Sequence, residues 1–248
     1  MRGRSLTQDL MGKVSFTELI WLLVTGVLPS AAQRTVLDAT LVAIAEHGLV
    51  PSVQVSRMTL AAAPEALQGA VAAGILGCGS VVLGSSEAAG QFFAAVAERA
   101  TTLKSLDDAI TAVVGEYRAG RRAIPGFGHP LHTGQDPRAQ RLLEIARQAG
   151  LSGRHIEVAL RVEQLLPQLI GRALALNVSG GIPAVLLDAG YPLQALKGVP
   201  LLARTAGLIG HLLEEQQRAI GFVMSHAAAR AIDYDGESPP GFVPSVDA

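Results

Sequence analysis

Four stretches of a chain that is about half hydrophobic hold the residues able to do chemistry. The first is IPGFGHPLHTGQDPR, residues 124–138, which sets His129 between a glycine and a proline and His132 three residues on. A neutral imidazole is a general base near physiological pH, and turn-rich loops carrying such side chains tend to be sites. Gly126 and Gly128 let the backbone approach a ligand closely. The second, AEHG, ends a helical pattern with His47. A helix C-terminus raises a histidine's affinity for its proton; alternatively His47 simply caps the helix. The third, LNVSGG, offers Asn177 and Ser179 just ahead of a helix, as ligands or as ordinary caps. The fourth, ARTAG, places Arg204 inside an apolar helix, where its charge needs an anion from a partner side chain or from a ligand. Arg218 closes EEQQR and reads as a second anion contact or as a solvated surface charge.

Several other chemistries are not supported. None of the six histidines has H-E-x-x-H spacing and no carboxylate cluster accompanies them, so no metal site is expected. There is no G-x-S-x-G elbow and no Walker-type loop. The G-x-G at 126–128 lacks the flanking strand and third glycine of a dinucleotide site. The single cysteine, Cys78, rules out an internal disulfide or a zinc–thiolate site, and reads as a small buried thiol in a cytoplasmic protein. A net charge of −1 argues against nucleic acid as partner. The run LIWLLVTGVLPSAAQ imitates a signal peptide, but Asp9 and Glu18 interrupt its upstream part. It is too short to span a bilayer and reads as a buried helix, so no membrane is expected.

The elements that must position these residues are helices. Alanine and leucine dominate, with glycine and proline as punctuation. Ser15 and Glu18 have capping-box spacing, and Gly26 and Pro29 end that helix. AAQRTVLDATLVAIAEHG reads as a helix up to Gly48, SLDDAITAVVGEYRAG as one capped by Ser105, and HIEVALRVEQLLPQLIG as one broken at Pro167. GIPAVLLDAG and GVPLLARTAGLIGHLLEEQQRA each begin with a proline near the start. PSVQVS and GSVVLGSS lean towards β-structure without making a sheet. The expectation is a single all-α domain of roughly ten helices over 1–248. It has a small lobe around 105–175 and a Pro/Gly-rich tail at 233–248.

Together these stretches resemble the citrate synthase superfamily. The signature is PGFGHP followed by DPR, supported in order by RGRSLTQDLMGKVSFTELIWLLVTGVLP, EHG, LNVSG and LLARTAGLIGHLLEEQQR. The resemblance is closer to the short citryl-CoA lyase branch, including the lyase module of ATP-citrate lyase. The stretch GSVVLGSSEAAGQ, with Ser85, Ser86 and Glu87, stands where full synthases carry a further histidine. The resemblance implies an all-α fold with large and small lobes and a cleft between them. It implies a homodimer that acts on a coenzyme A thioester and a carboxylate or keto acid, with no bound cofactor. His129 would meet the oxygen on the carbon that is formed or cleaved, His47 the polar end of the substrate, and Arg204 a substrate carboxylate.

The chain departs from that family at two places. The family's Asn-Val-Asp is Asn177-Val178-Ser179 here, so the acid/base for the acetyl-CoA methyl carbon is a hydroxyl. Taking an α-proton from a thioester needs a positioned base and a stabilised enolate. An unactivated serine is no such base. Cleavage is more forgiving: it starts at an alcohol proton, within reach of a histidine, and ends with an enolate that a hydroxyl can protonate. The family's cation after the loop histidine is also absent; His132 replaces it only when protonated. The expected function is therefore citryl-CoA lyase-like cleavage of a 3-hydroxyacyl-CoA to acetyl-CoA and a keto acid. The alternatives are a thioester hydrolase or condensing enzyme on the same fold, and a non-catalytic subunit that binds CoA esters.

Overall fold

Short polar side chains set the helix starts. The computed structural model describes residues 1–79, 84–128, 134–233, 235–237 and 239–241. After a π-type turn at Leu6–Leu10, Ser15 and Glu18 form a reciprocal capping box that opens α1 (Phe16–Thr25). Ser30 and Gln33 do the same for α2 (Ala31–Ile44). Then come α3 (Pro51–Ala62), α4 (Leu67–Leu76), α5 (Ser85–Leu103) and α6 (Leu106–Ala119), the last capped by Ser105. The set is completed by α7 (Pro137–Gln148), α8 (Arg154–Ile170), α9 (Val178–Asp188), α10 (Gly198–Gln217) and α11 (Gly221–Ala231). Among the described residues the strand-like pairing is a single antiparallel bridge, Phe127 with Leu176. The fold is all-α, as the composition predicts.

The chain divides into two units. Unit 1 comprises Met1–Ala45 and Gly79–Ala203, and unit 2 comprises Glu46–Cys78 and Arg204–Ala248. In unit 1, α9 is buried along most of its length and packs on α2, α5, α7 and α8. Trp21, Leu37, Phe92, Phe93, Leu166 and Leu186 fill the surrounding core. Residues 105–175, expected as the small lobe, lie wholly in unit 1, because α6 and α8 share that core through α5. In unit 2, α3 packs on α4 and on α11. Gly74 makes the first contact possible: a Cβ there would sit 2.9 Å from the Ser52 carbonyl and 2.7 Å from Leu208. Cys78 is buried and donates to the Gly74 carbonyl at 3.3 Å, as a structural thiol.

Some local expectations change. PSVQVS is the first part of α3, because Pro51 at the first helical position starts a helix that buries Val53, Ser56 and Leu60. Pro167 does not break α8: the helix runs on to Ile170, and Gly171 ends it at φ +75°. Pro183 sits inside α9 rather than near its start, since Asn177 caps the helix further upstream. The helix before His47 ends at Ile44, not at Gly48. Glu46 turns its carboxylate onto the Gly48 N–H at 2.7 Å, and Gly48 takes φ +65°. His47 is therefore an exposed residue past the helix end rather than in its last turn.

Candidate active site

In unit 1 the site is built on a glycine-to-glycine crossing. The loop leading to His129 runs beside the entry to α9, joined by three short bonds. The Gly128 N–H donates to the Ala175 carbonyl at 2.8 Å, and the Asn177 N–H to the Gly126 carbonyl at 3.0 Å. The Asn177 amide donates to the Gly128 carbonyl at 2.6 Å. Gly126 and Gly128 have φ +86° and +77°, which L side chains rarely adopt. A Cβ on Gly180 would stand 2.5 Å from the Gly126 carbonyl oxygen, and one on Gly126 would stand 2.8 Å from the Gly180 Cα. No side chain fits at the crossing. Asn177 also accepts the Gly180 N–H at 3.1 Å, so it caps α9 and pins the loop with one amide.

Asp136 locks the same corner from the other side. It is 1% exposed. It accepts the Val178 N–H at 2.9 Å, and the Arg138 backbone and side chain at 2.9–3.1 Å. Burial pushes its carboxyl up, but the Arg138 side chain, the two N–H donors and the Arg138 charge together hold it below the usual aspartate range. Ser179 occupies the first turn of α9, half-buried, and its hydroxyl receives a hydrogen bond from the Ser85 hydroxyl at 2.9 Å. Pro183 supplies no N–H to the Ser179 carbonyl four residues earlier. Ser85 opens α5, so two helices begin at this hydroxyl pair. The predicted His129 and His132 fall in 129–133, outside the described residues.

In unit 2 charged side chains do the holding. Arg57, 4% exposed, bonds Glu215 at 2.7 Å, Glu214 at 3.2 Å, the Arg218 carbonyl at 3.3 Å and His211 Nδ1 at 3.4 Å. A guanidinium only donates, so Nδ1 accepts and the Nε2–H of His211 donates to Glu46, 2.7 Å away. That clasp fixes the residue next to His47, whose own side chain also has an interaction. Glu215 accepts the N–H groups of Ile220 and Gly221 at 2.7–3.1 Å and so starts α11. Burial raises the Glu215 carboxyl, but the Arg57 side chain, those N–H donors and the Arg57 charge bring it below the usual glutamate range. Burial likewise raises Glu46, and His211 with the 47–48 backbone outweighs it. Arg204, 3% exposed, is different: among the described residues its Nε and one terminal nitrogen have no hydrogen-bond partner. Arg218 is 78% exposed at its side chain and pairs with Glu214 at 3.1 Å.

The predicted residues thus fall into two sets: Gly126, Gly128, Asn177 and Ser179 in unit 1, and His47, Arg204 and Arg218 in unit 2. Sequence reading missed Ser85 as the partner of Ser179. It missed Asp136 as the corner lock, although an Asp-Pro pair before a helical run signals a capping aspartate. It also missed Arg57 and His211, for which the spacing H-x-x-E-E on one helix face was the available sign. Among the described residues no three His, Cys, Asp or Glu side chains are grouped to hold a metal ion. None of their helices is long and apolar enough to cross a membrane. A cleft of about 830 Å³ between α7 and α8, lined by Gln140, Arg141, Leu143, Arg147 and Ile156, includes none of the predicted residues.

Residues 32–221 match the family described as citrate synthase, C-terminal domain. The chain belongs to the citrate synthase family. Citryl-CoA lyase from Hydrogenobacter thermophilus is similar in structure, with a TM-score of 0.85 and 32% identity, covering 98% of this chain and 92% of that one. An aspartate-to-alanine mutant of ATP citrate lyase from Methanosaeta concilii, solved with (3S)-citryl-CoA, matches with a TM-score of 0.77 and 25% identity. That match covers 95% of this chain and 39% of that one. ATP-citrate synthase beta chain protein 2 of Arabidopsis thaliana is 28% identical over 189 residues, 70% of this chain and 30% of that protein. The chain spans about half the length, or less, of the curated relatives it matches.

Proposed function

We propose that this citrate synthase-family chain is a citryl-CoA lyase-like enzyme, a cytoplasmic homodimer that cleaves a 3-hydroxyacyl-CoA of the citryl-CoA type to acetyl-CoA and a keto acid. The observation that carries this reading is the near end-to-end likeness to a citryl-CoA lyase, in both directions of coverage. Arg204 supports an anionic substrate. Two buried, unpartnered guanidinium N–H groups are costly to leave unmade, and a substrate carboxylate satisfies them. His47 lies near the polar end of the substrate, with protonated His132 and Arg218 as further carboxylate contacts. Asn177 and the backbone at Gly126 and Gly128 shape the wall against the CoA thioester.

In the cleavage step His129 takes the proton from the substrate's 3-hydroxyl. The C–C bond breaks, its electron pair moves into the thioester, and the alcohol carbon becomes a ketone. The enolate carbon then takes a proton from the Ser179 hydroxyl. That hydroxyl donates readily to so strong a base, whereas in its resting neutral form it is a poor base for an α-proton. The absence of a carboxylate at 179 also favours a second reading, a subunit that binds CoA esters without turnover. The test is incubation with citryl-CoA and related 3-hydroxyacyl-CoA esters, with products read by mass spectrometry. Acetyl-CoA plus a keto acid is the expected result. Free CoA with an intact acid indicates a hydrolase, and tight binding without turnover indicates the binding subunit.

A further inference from the structure

We infer that Ser85 is the positioning and proton-relay residue for Ser179, so that two hydroxyls replace the one carboxylate the family uses. The inference rests on the lyase reading above. The two residues are 94 positions apart and reach each other only because α5 and α9 begin side by side. Both hydroxyls are half-buried, shielded from bulk water yet open enough to meet a ligand.

The relay sets the direction of the bond. The two oxygens lie 2.9 Å apart, so either hydroxyl can donate, and Ser85 is the donor when Ser179 presents its own proton to the substrate. One lone pair of Ser179 is then occupied and its own proton is left to point elsewhere. A lone serine hydroxyl rotates freely and spreads its proton over three staggered positions. A serine held by a donor keeps fewer of them. The rigid crossing of Gly126 and Gly180 fixes the first turn of α9 and so fixes where that proton is presented. The starts of two helices add a favourable field for negative charge building on either oxygen.

The proton balance closes through the pair. The enolate carbon takes the Ser179 proton, breaking that O–H bond and forming the new C–H bond. The Ser179 oxygen takes the Ser85 proton along the existing hydrogen bond. Ser85 is restored by water, and the solvent is restored by the proton that His129 took from the substrate hydroxyl. One proton leaves oxygen and one arrives on carbon, so no external acid or base is consumed. A single serine would have to recover its proton from solvent while product still covers it; the relay places the entry point one residue further away.

The test uses the full chain and citryl-CoA, with Ser85→Ala, Ser85→Thr and Ser179→Ala. Ser85→Ala is expected to lower kcat about tenfold, the loss of one positioned hydrogen bond, with KM unchanged. Ser85→Thr keeps the hydroxyl and is expected to restore most of the rate. In mixtures of light and heavy water, the wild-type rate should curve with deuterium fraction, because two protons move together. That of Ser85→Ala should be linear. A structural role alone would not change that curve. Equal rates and equal curvature in wild type and Ser85→Ala overturn the inference and leave the lyase reading standing. No cleavage by the wild type overturns both.

Discussion

The two units hold their predicted residues by opposite means. In unit 1 the corner around Ser179 is a backbone crossing, Gly126 against Gly180, with neutral hydroxyls at its edge and one buried carboxylate behind it. In unit 2 the helices around His211 are tied by charge, with Arg57 reaching two glutamates, a carbonyl and an imidazole. A backbone crossing fixes position to a fraction of an ångström and tolerates no added atom. A charge network tolerates changes of shape but not the loss of a partner. Each half therefore has a distinct failure mode, and substitutions can separate them.

The largest effect should come from unit 2. Glu215→Ala leaves Arg57 buried without its strongest partner and removes the acceptor for Ile220 and Gly221. Breaking a buried ion pair by removing one member costs about 3–5 kcal/mol. Denaturation followed by helix circular dichroism should show a loss of that size, with Glu215→Gln intermediate because it still accepts the two N–H bonds. A loss below about 1 kcal/mol would mean that the existing Arg57–Glu214 pair suffices and that the network is redundant.

The next effect belongs to unit 1. Gly180→Ala puts a methyl 2.5 Å from the Gly126 carbonyl oxygen and 2.6 Å from Leu176. Overpacking of this kind typically costs about 1–3 kcal/mol, and contact with backbone places it at the upper end. Trp21, the only tryptophan, is buried in unit 1, so its fluorescence reports this variant directly. Gly210→Ala, on an exposed stretch of α10 with nothing within 4 Å of the added methyl, is the control. If Gly180→Ala matches Gly210→Ala, the crossing does not fix the start of α9.

How much of this was legible depended on sequence distance. The loop before His129, the glycines within it and the Asn177 cap are contiguous strings, and each carried its own chemistry on the page. Arg57 and Glu215 are 158 residues apart, and Ser85 and Ser179 are 94 apart. No local pattern pairs them, because both contacts arise from how helices pack rather than from what adjoins them in the chain. Boundaries failed for a related reason. The helix before His47 reads as continuous to Gly48, but Glu46 turns away from the helical ladder to a histidine 165 residues on. Proline at 167 reads as a stop, yet α8 continues past it to Ile170.

Acid should narrow the contrast between the halves. The folded carboxyls of Asp136 and Glu215 both lie below their ordinary values of 3.8 and 4.5. A depressed folded value stabilises the protein above the ordinary value and stops doing so as pH falls through the folded one. Wild-type stability is thus expected to be level near neutral pH and to fall below about pH 4. Asp136→Asn removes the Arg138 pairing and one strong acceptor, and should cost about 2 kcal/mol at pH 7. The gap between it and wild type should shrink as pH drops, because the wild-type carboxyl is then protonated as well. A gap that stays constant from pH 7 to pH 3 would show that Asp136 acts through shape rather than charge.

The smallest effect is expected at Arg218, and it is the sharpest check on the division. Its backbone carbonyl accepts from Arg57 and so belongs to the unit 2 network, while its side chain is 78% exposed and meets only the half-exposed Glu214 among the described bonds. Arg218→Ala keeps the carbonyl and deletes the side chain. Stability should change by less than about 0.5 kcal/mol, and less still in high salt. Its effect on turnover separates two roles for the same residue. An unchanged KM for citryl-CoA confines Arg218 to its main-chain bond with Arg57. A raised KM that salt exaggerates means that the side chain leaves Glu214 to meet the substrate carboxylates, and the surface pair is then a resting arrangement only.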